Sequence, residues 1–191
     1  MDYRFVDPRE LKIDECELCA RLSVRSLEEL DFSELYDRLI SEAKPAYAAV
    51  RVELYKSERG IRIGSVTTES QALRKLTEGA SDCIVLAATL GIGVDRLIYR
   101  ASKLSHSEAF VLDAIADALI ESLCDLAEAE VCQGLYTTGR FSPGYADLEL
   151  SVGYEILSLC SAEKILGIKT SDSGLMIPKK SVNALIAIKD E

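Results

Sequence analysis

The sequence predicts an α+β fold in which helices pack around a largely antiparallel sheet in a single domain. Apolar residues alternate with charged ones over residues 47–55, and a second short strand at 61–66 follows a turn at 57–60. An uninterrupted apolar run at 83–89 indicates a central strand that is buried on both faces. Leucine and isoleucine recur at helical spacing along residues 107–133, which indicates one long helix with a buried stripe.

Residues 1–45 are expected to form a helical segment that precedes an α+β core at 46–191. Pro8 suits the first turn of a helix, because proline lacks the N–H group that would be unpaired there. Apolar residues recur at helical spacing over 27–43. Pro45 closes that helix, since a proline disfavours helical backbone in the residue before it.

The core adds two shorter helices, predicted at 69–77 and 93–103. The second follows the sequence Gly91-Ile92-Gly93, which invites comparison with phosphate-binding loops. It lacks the third glycine of a dinucleotide fingerprint and the Gly-Lys-Ser/Thr of a P-loop. We therefore interpret it as a tight turn from strand to helix.

The C-terminal residues predict a hairpin. A strand at 175–178 is followed by Lys179 and Lys180 and then by an apolar strand at 182–188. The two lysines are expected at the solvated tip of this hairpin.

The composition indicates a globular protein with an acidic surface. The chain has 191 residues, enough for one domain with a proper core, and a formal net charge of −10. This charge argues against a nucleic acid or an anionic membrane as a partner, since both attract basic proteins. The longest apolar run, residues 84–94, is shorter than the roughly 20 residues that cross a bilayer. Residues 1–8 lack the apolar centre of a signal peptide, so we expect a cytoplasmic protein.

Cysteine and histidine give little indication of catalysis or of a metal site. Cys16 and Cys19 form a C-x-x-C motif, but no second pair accompanies them, as a zinc site would require. The motif lies in a predicted helix at 14–22, which favours two packed thiols over a redox site. His106 is the only histidine and lies in a polar connection, which argues against Ser-His or Cys-His catalysis. We assign no catalytic residue and no metal ligand.

Residues 140–145, Arg-Phe-Ser-Pro-Gly-Tyr, are the strongest candidate for a binding site. Pro143 and Gly144 are the preferred central pair of a type II turn, which brings Ser142 close to Tyr145. Arg140 offers a planar fork of donors suited to a carboxylate. The loop therefore suits a small amino-acid-like ligand, although an ordinary surface turn would have the same pattern.

The predicted long helix carries an acidic stripe formed by Asp117, Glu121, Asp125 and Glu128. Like charges at this spacing repel by a few tenths of a kcal/mol, roughly, so the stripe does not stabilise the helix. A solvated helix face is the favoured explanation, since carboxylates are mostly exposed, and a face that meets a cation is the alternative.

Four stretches of the chain, in consistent order, resemble one known domain. They are residues 84–91, ending Ala-Thr-Leu-Gly; residues 116–121, Ala-Asp-Ala-Leu-Ile-Glu; the loop 140–145; and residues 171–182, with Ser171-Asp172-Ser173, Met176, Pro178 and Ser181-Val182. The loop resembles the Arg-x-x-x-Gly-Tyr loop of the S-adenosylmethionine-binding activation domain of vitamin B12-dependent methionine synthase. The last stretch is similar to the Thr-Glu-Ser…Met-x-Pro…Ser-Val pattern of that family. The resemblance implies a central twisted antiparallel sheet flanked by helices.

The resemblance also implies roles for five residues in binding S-adenosylmethionine. Glu121 would meet the ammonium or sulfonium cation, and Arg140 would pair with the methionyl carboxylate. Ser142 and Gly144 would shape the pocket and present backbone groups. Tyr145 would lie on the ligand side, facing a cofactor bound to a partner.

The activity implied by the resemblance is reductive methylation of cob(II)alamin. An electron would come from a flavodoxin- or ferredoxin-like donor and a methyl group from S-adenosylmethionine. The chain lacks the Asp-x-His-x-x-Gly motif of cobalamin-binding domains, so cobalamin is expected on a separate protein. We expect a stand-alone reactivation module, not a complete synthase, that serves a cobalamin-dependent methionine synthase without its own activation domain. The alternatives are a reactivator of a different corrinoid methyltransferase and a non-catalytic scaffold subunit that has lost the ligand.

Overall fold

The computed structural model describes residues 1–29, 32–58 and 60–189, which form seven helices and eight strands. Their bounds in chain order are β1 Asp2–Phe5, α1 Glu15–Leu22, α2 Phe32–Glu42, β2 Ala46–Ser57, β3 Gly60–Ile63, β4 Val66–Thr68, α3 Gln71–Leu76, β5 Ala80–Thr89, α4 Ile92–Ser102, α5 His106–Val131, α6 Gly153–Leu159, α7 Ala162–Leu166, β6 Lys169–Thr170, β7 Met176–Ile177 and β8 Ser181–Lys189.

Six of the strands form the main sheet, and every pair in it is antiparallel. The order is β4-β3-β2-β5-β8, and β1 pairs with the first half of β2. The predicted α+β class is therefore confirmed. The apolar run at 83–89 belongs to β5, which lies between β2 and β8 and is buried on both faces, as predicted.

Two layers of helices cover the sheet. Helices α1, α2, α4 and α5 pack on the face that contains Ile84 and Leu86, and α3, α6 and α7 pack on the face that contains Cys83 and Val85. The predicted stripe of α5 is completely buried at its centre, including Leu119. This long helix spans the sheet and ends beside the loop 140–145, so it determines one wall of the candidate site.

The structure differs from the sequence interpretation in the first half of the chain. Residues 1–45 contain α1 and α2 but also β1, a short strand whose pattern gave no signal because most of its side chains are exposed. The C-terminal part of the helix predicted at 27–43 forms α2, which begins at Phe32 and ends at Glu42. Residues 30 and 31 lie outside the described residues. The strand predicted at 61–66 is two strands, because Gly64 has a φ of +55° and turns the chain between β3 and β4.

The turn at Gly91 and Gly93 joins β5 to α4, as predicted. Gly91 has a φ of +83°, and a Cβ at Gly93 would lie 2.3 Å from the carbonyl oxygen of Glu42. Gly93 therefore allows α4 to approach the end of α2, which is a structural explanation for both glycines.

The C-terminal hairpin prediction is wrong. Strand β7 pairs with β6, and β8 pairs along its length with β5. Lys180 is not at a solvated tip, because its side chain is 12% exposed and its Nζ lies 2.8 Å from Asp113 Oδ1 and 2.5 Å from Asp117 Oδ1. The backbone of β5 needs a partner on this side, and that requirement outweighs the local hairpin pattern.

Among the described residues, no helix is both long enough and apolar enough to cross a membrane.

Candidate functional site

A cleft of about 610 Å³ opens beside the first residues of β8. Its walls are the last turns of α5, the loop 139–145, the start of α6 and the segment 170–183. Four of the predicted side chains line the cleft: Glu121, Arg140, Ser142 and Tyr145. The fifth residue, Gly144, lies in the turn between Ser142 and Tyr145. The structure thus brings together Glu121, the loop 140–145 and the segment 170–183, which the sequence resemblance linked although they are distant in the chain.

The loop 140–145 continues the main sheet for one residue and then turns away. Phe141 pairs with Leu185 of β8 through two backbone hydrogen bonds of 2.9 and 2.8 Å. The Tyr145 N–H then donates to the Ser142 carbonyl at 3.2 Å, and Gly144 has a φ of +91°. These features match the predicted type II turn, in which a residue with positive φ stands at the third position.

Asp147 holds the far end of this loop, and sequence analysis did not single it out. Its carboxylate accepts hydrogen bonds from the hydroxyl of Ser70 at 2.6 Å and from the backbone N–H groups of Gln71 at 2.6 Å and Ala72 at 3.1 Å. The hydroxyl bond, followed by the backbone bonds, lowers the pKa of Asp147 below its usual value. No sequence signal could have found this contact, because its partners lie more than 70 positions away.

Arg140 is surrounded by the acidic stripe of α5. Its guanidinium contacts Glu121 Oε2 at 3.0 Å, Asp125 Oδ1 at 2.8 Å and Glu128 Oε2 at 2.9 Å. Partial burial of Arg140 disfavours its charge, but the hydrogen bond to Asp125 and the other carboxylates outweigh burial, so the pKa of Arg140 is raised above its usual value. Two residues expected to hold opposite charges of a ligand, Arg140 and Glu121, therefore contact each other.

One end of the cleft is consequently negative. One guanidinium faces three carboxylates, which leaves a formal charge of −2 (+1 and −3). The side chains of Glu121 and Asp125 are 60% and 72% exposed, whereas that of Arg140 is 21% exposed. A cation can therefore reach the carboxylates directly. The three bonds use three of the five N–H donors of Arg140, so a ligand carboxylate can bind Arg140 without displacing them.

Outside this charged group, the residues that line the cleft are uncharged, and one of them is a buried amide. Asn183 of β8 is 4% exposed, and its Nδ2 donates to the Gly153 carbonyl at 2.9 Å. Leu150, Leu157 and Met176 line the cleft around it. Its Oδ1 is buried and has no hydrogen-bond partner among the described residues.

The mouth of the cleft is bordered by exposed apolar side chains. Tyr145 is 67% exposed and Leu150 is 41% exposed, and both line the cleft. Leu175 and Ile177, in the bordering segment 170–183, are 62% and 49% exposed. Exposed apolar side chains at the border of a cleft are typical of a surface that contacts a large partner.

The cysteines contribute no site chemistry to the cleft. All six are free thiols, and the C-x-x-C motif lies in helix α1, as predicted. Cys124 lies in α5 close enough to Arg140 to interact with its charge, and burial raises the pKa of Cys124 to about 12. Such a thiol stays protonated and unreactive at neutral pH.

Comparisons with known proteins test the resemblance. Neither a protein-family model nor a curated protein sequence matches the chain. A solved structure, the crystal structure of the MetH reactivation domain bound to AdoHcy, matches with a TM-score of 0.72. The match covers 97% of this chain and 77% of that chain.

The chain has the fold of the MetH reactivation domain. The resemblance proposed from the sequence is confirmed at this level, and sequence identity over the match is 17%. The roles of Glu121, Arg140, Ser142, Gly144 and Tyr145 stay predictions, because the fold alone does not test them.

Proposed function

We propose that the chain binds S-adenosylmethionine in this cleft and acts as a reactivation module for a separate corrinoid protein. The cleft is the observation that carries the proposal. It unites the loop 140–145, Glu121 and the segment 170–183 in a fold shared with the MetH reactivation domain, whose crystal structure has AdoHcy bound.

The charges of the cleft suit this ligand. S-adenosylmethionine carries a carboxylate, an ammonium and a sulfonium, so it has a net charge of +1. Arg140 and its three carboxylate partners, Glu121, Asp125 and Glu128, form a group that we call the Arg140 cluster. The cluster has a formal charge of −2, and its positive and negative side chains are in direct contact. The exposed carboxylates of Glu121 and Asp125 would bind the cations, and the remaining N–H donors of Arg140 would bind the ligand's carboxylate.

The turn at Ser142–Tyr145 would shape the wall next to the reacting methyl group. Ser142 and Tyr145 line the cleft, and Gly144 adopts a positive φ that keeps the turn compact. The sulfonium is already activated as a methyl donor, so the chain needs no acid or base for methyl transfer. Its contribution would be to hold the methyl group in line with the acceptor and to exclude water.

The methyl acceptor would be a corrinoid carried by a partner protein. After one-electron reduction by a flavodoxin- or ferredoxin-like donor, the corrinoid would supply the nucleophile. The cleft would hold S-adenosylmethionine while its methyl–sulfur bond breaks, with the electron pair left on sulfur, and S-adenosylhomocysteine would remain in the cleft. The exposed apolar rim around Tyr145 is the surface on which such a partner would dock. Among possible partners, we favour a cobalamin-dependent methionine synthase without its own activation domain.

Calorimetric titration with S-adenosylmethionine tests the proposal. The protein is titrated alone and in the presence of a cob(II)alamin-loaded methionine synthase that lacks its activation module. Saturable binding is expected in at least one condition, followed by formation of methylcobalamin when a reductant is supplied. Arg51→Ala serves as a control, because Arg51 pairs with Asp82 at 2.5 Å on the surface outside the cleft.

The outcomes separate the alternatives. Binding without methylcobalamin formation would contradict the favoured partner and indicate a different corrinoid protein. No binding in either condition would contradict the proposed function and favour a scaffold subunit that has lost its ligand.

A further inference from the structure

Asn183 is a polar side chain in an apolar part of the fold. It lies on the same face of β8 as Leu185, which packs with Leu148 and Ile156 in the core beneath α6. Asparagine is depleted in strands because its amide neither packs well on a pleated surface nor tolerates burial without partners. A buried amide at this position needs an explanation.

The orientation of the amide is fixed by Gly153. Asn183 Nδ2 donates to the Gly153 carbonyl oxygen at 2.9 Å. Rotating the amide by half a turn would place Oδ1 against that carbonyl, so that two acceptors would face each other. Asn183 Oδ1 is therefore held as an acceptor, and it has no partner among the described residues. An acceptor left in this state lowers stability unless a donor reaches it.

Asn183 is one of the residues that line the cleft, at the edge of β8 opposite β5. Phe141 is paired with Leu185, and the chain then turns away at Pro143 and Gly144. Strand alternation points the backbone N–H and C=O of Asn183 to the same edge as those of Leu185, and that edge opens into the cleft at Asn183.

The surroundings of Asn183 differ from those of Arg140. A Cβ added to Gly153 would lie 3.7 Å from Asn183 Nδ2 and 3.6 Å from Pro143 Cβ, so these three residues form one side of the cleft. Leu157 and Met176 line the same region. Among the described residues that line the cleft, the charged ones all belong to the Arg140 cluster. The amide end therefore suits the neutral, planar part of a ligand.

We propose that Asn183 Oδ1 accepts a hydrogen bond from the exocyclic 6-amino group of the ligand's adenine and thereby selects that base. This inference rests on the proposed function. The charged amino-acid portion of the ligand lies at the Arg140 cluster, and the base lies between the apolar side chains at the other end. A base with a keto oxygen at this position would bring one acceptor against another, and Gly153 prevents the amide from rotating to accommodate it.

Two ligands that differ at this group test the inference. The protein is titrated calorimetrically with S-adenosylhomocysteine and with S-inosylhomocysteine, in which a keto oxygen replaces the amino group. The wild-type protein is expected to bind the adenine compound about 10- to 100-fold more tightly, the size of a lost hydrogen bond to a buried group. In Asn183→Ser, whose hydroxyl can donate or accept, the ratio is expected to fall to within about threefold.

A matched control is Thr138→Ala, which removes a hydroxyl that accepts from the Ala187 N–H at 3.0 Å on the same edge but outside the cleft. Thr138→Ala should keep the wild-type ratio. Equal affinity of the wild-type protein for both ligands would overturn the inference while leaving the proposed function intact. Equal weakening of both ligands in Asn183→Ser, with the ratio preserved, would show that Asn183 is structural.

If neither ligand binds the wild-type protein, with or without the corrinoid partner, the proposed function fails and the inference fails with it. If Asn183→Ser does not fold, the ratio of the affinities of the wild-type protein for the two ligands still tests whether the cleft selects the 6-amino group.

Discussion

At the scale of single residues, Arg140 has a structural role in addition to the binding role that the sequence predicts for it. It contacts three carboxylates and is the only cationic side chain among the described residues that line the cleft. A guanidinium in this position stabilises the folded protein, because it offsets the mutual repulsion of the acidic stripe. In the proposed function it would also bind a ligand carboxylate.

Replacing Arg140 by alanine is therefore expected to affect both binding and stability. We expect at least a tenfold loss of affinity for S-adenosylmethionine, since a charged hydrogen bond is removed, and a loss of about 1 kcal/mol in the free energy of unfolding. Calorimetry and thermal unfolding measure the two effects, with Arg51→Ala as the control for an exposed ion pair. Lost stability with unchanged affinity would make Arg140 a structural residue.

The candidate site could be predicted from the sequence only where its residues are close together in the chain. The turn at Pro143 and Gly144 follows from local backbone preferences, so its geometry was foreseen. Asp147 and Asn183 were not, because each depends on partners that only the fold brings near. The pairing of Arg140 with Glu121 was likewise hidden, since both were assigned to the ligand instead of to each other.

At the scale of elements, the periodicity of apolar residues predicted the long helix and the long central strand. It did not predict which strands pair with each other. Helix α5 and strand β5 carry patterns long enough to fix their type. Strand β1 and the true partner of β8 depend on which sheet edge is free, which local sequence does not encode. The two lysines after Pro178 matched a hairpin tip, yet Lys180 instead ties the start of β8 to α5.

The contact of Asp147 with the start of helix α3 predicts that the stability of the protein depends on pH. Asp147 has a lowered pKa in the folded protein, so its hydrogen bonds contribute stability above the usual carboxyl pKa. That contribution is lost as the pH falls through the folded value. The difference in Tm between the wild type and Asp147→Asn should be largest at about pH 7 and should shrink towards about pH 2.

Thermal unfolding across this pH range measures the effect of Asp147. Asp37→Asn, at an exposed position of α2, should show no comparable pH-dependent difference. Because Asp147 holds the loop that lines the cleft, Asp147→Asn should also weaken binding of S-adenosylmethionine. A Tm difference that is constant with pH would contradict the assigned role of the carboxylate.

At the scale of the whole molecule, the acidic charge and the cleft act in the same direction. The formal net charge is −10, and the part of it that lies in the cleft is −2 (+1 from Arg140 and −3 from its carboxylate partners). S-adenosylmethionine is attracted by both, whereas S-adenosylhomocysteine lacks the sulfonium and carries no net charge. The protein should therefore favour the methyl donor over the product left after transfer, and this preference should depend on salt.

Calorimetry of both ligands at two ionic strengths tests this preference. At about 10 mM salt the Debye length is roughly 30 Å, and at about 1 M it is roughly 3 Å. We expect the affinity for S-adenosylmethionine to fall between these conditions, while that for S-adenosylhomocysteine changes little. Asp125→Asn, which removes a carboxylate that is 72% exposed in the cleft, should reduce both the preference and its salt dependence. Glu34→Gln, on the exposed side of α2, should alter neither. A preference that resists salt and survives Asp125→Asn would mean that shape, not the charge of the cleft, distinguishes the two ligands.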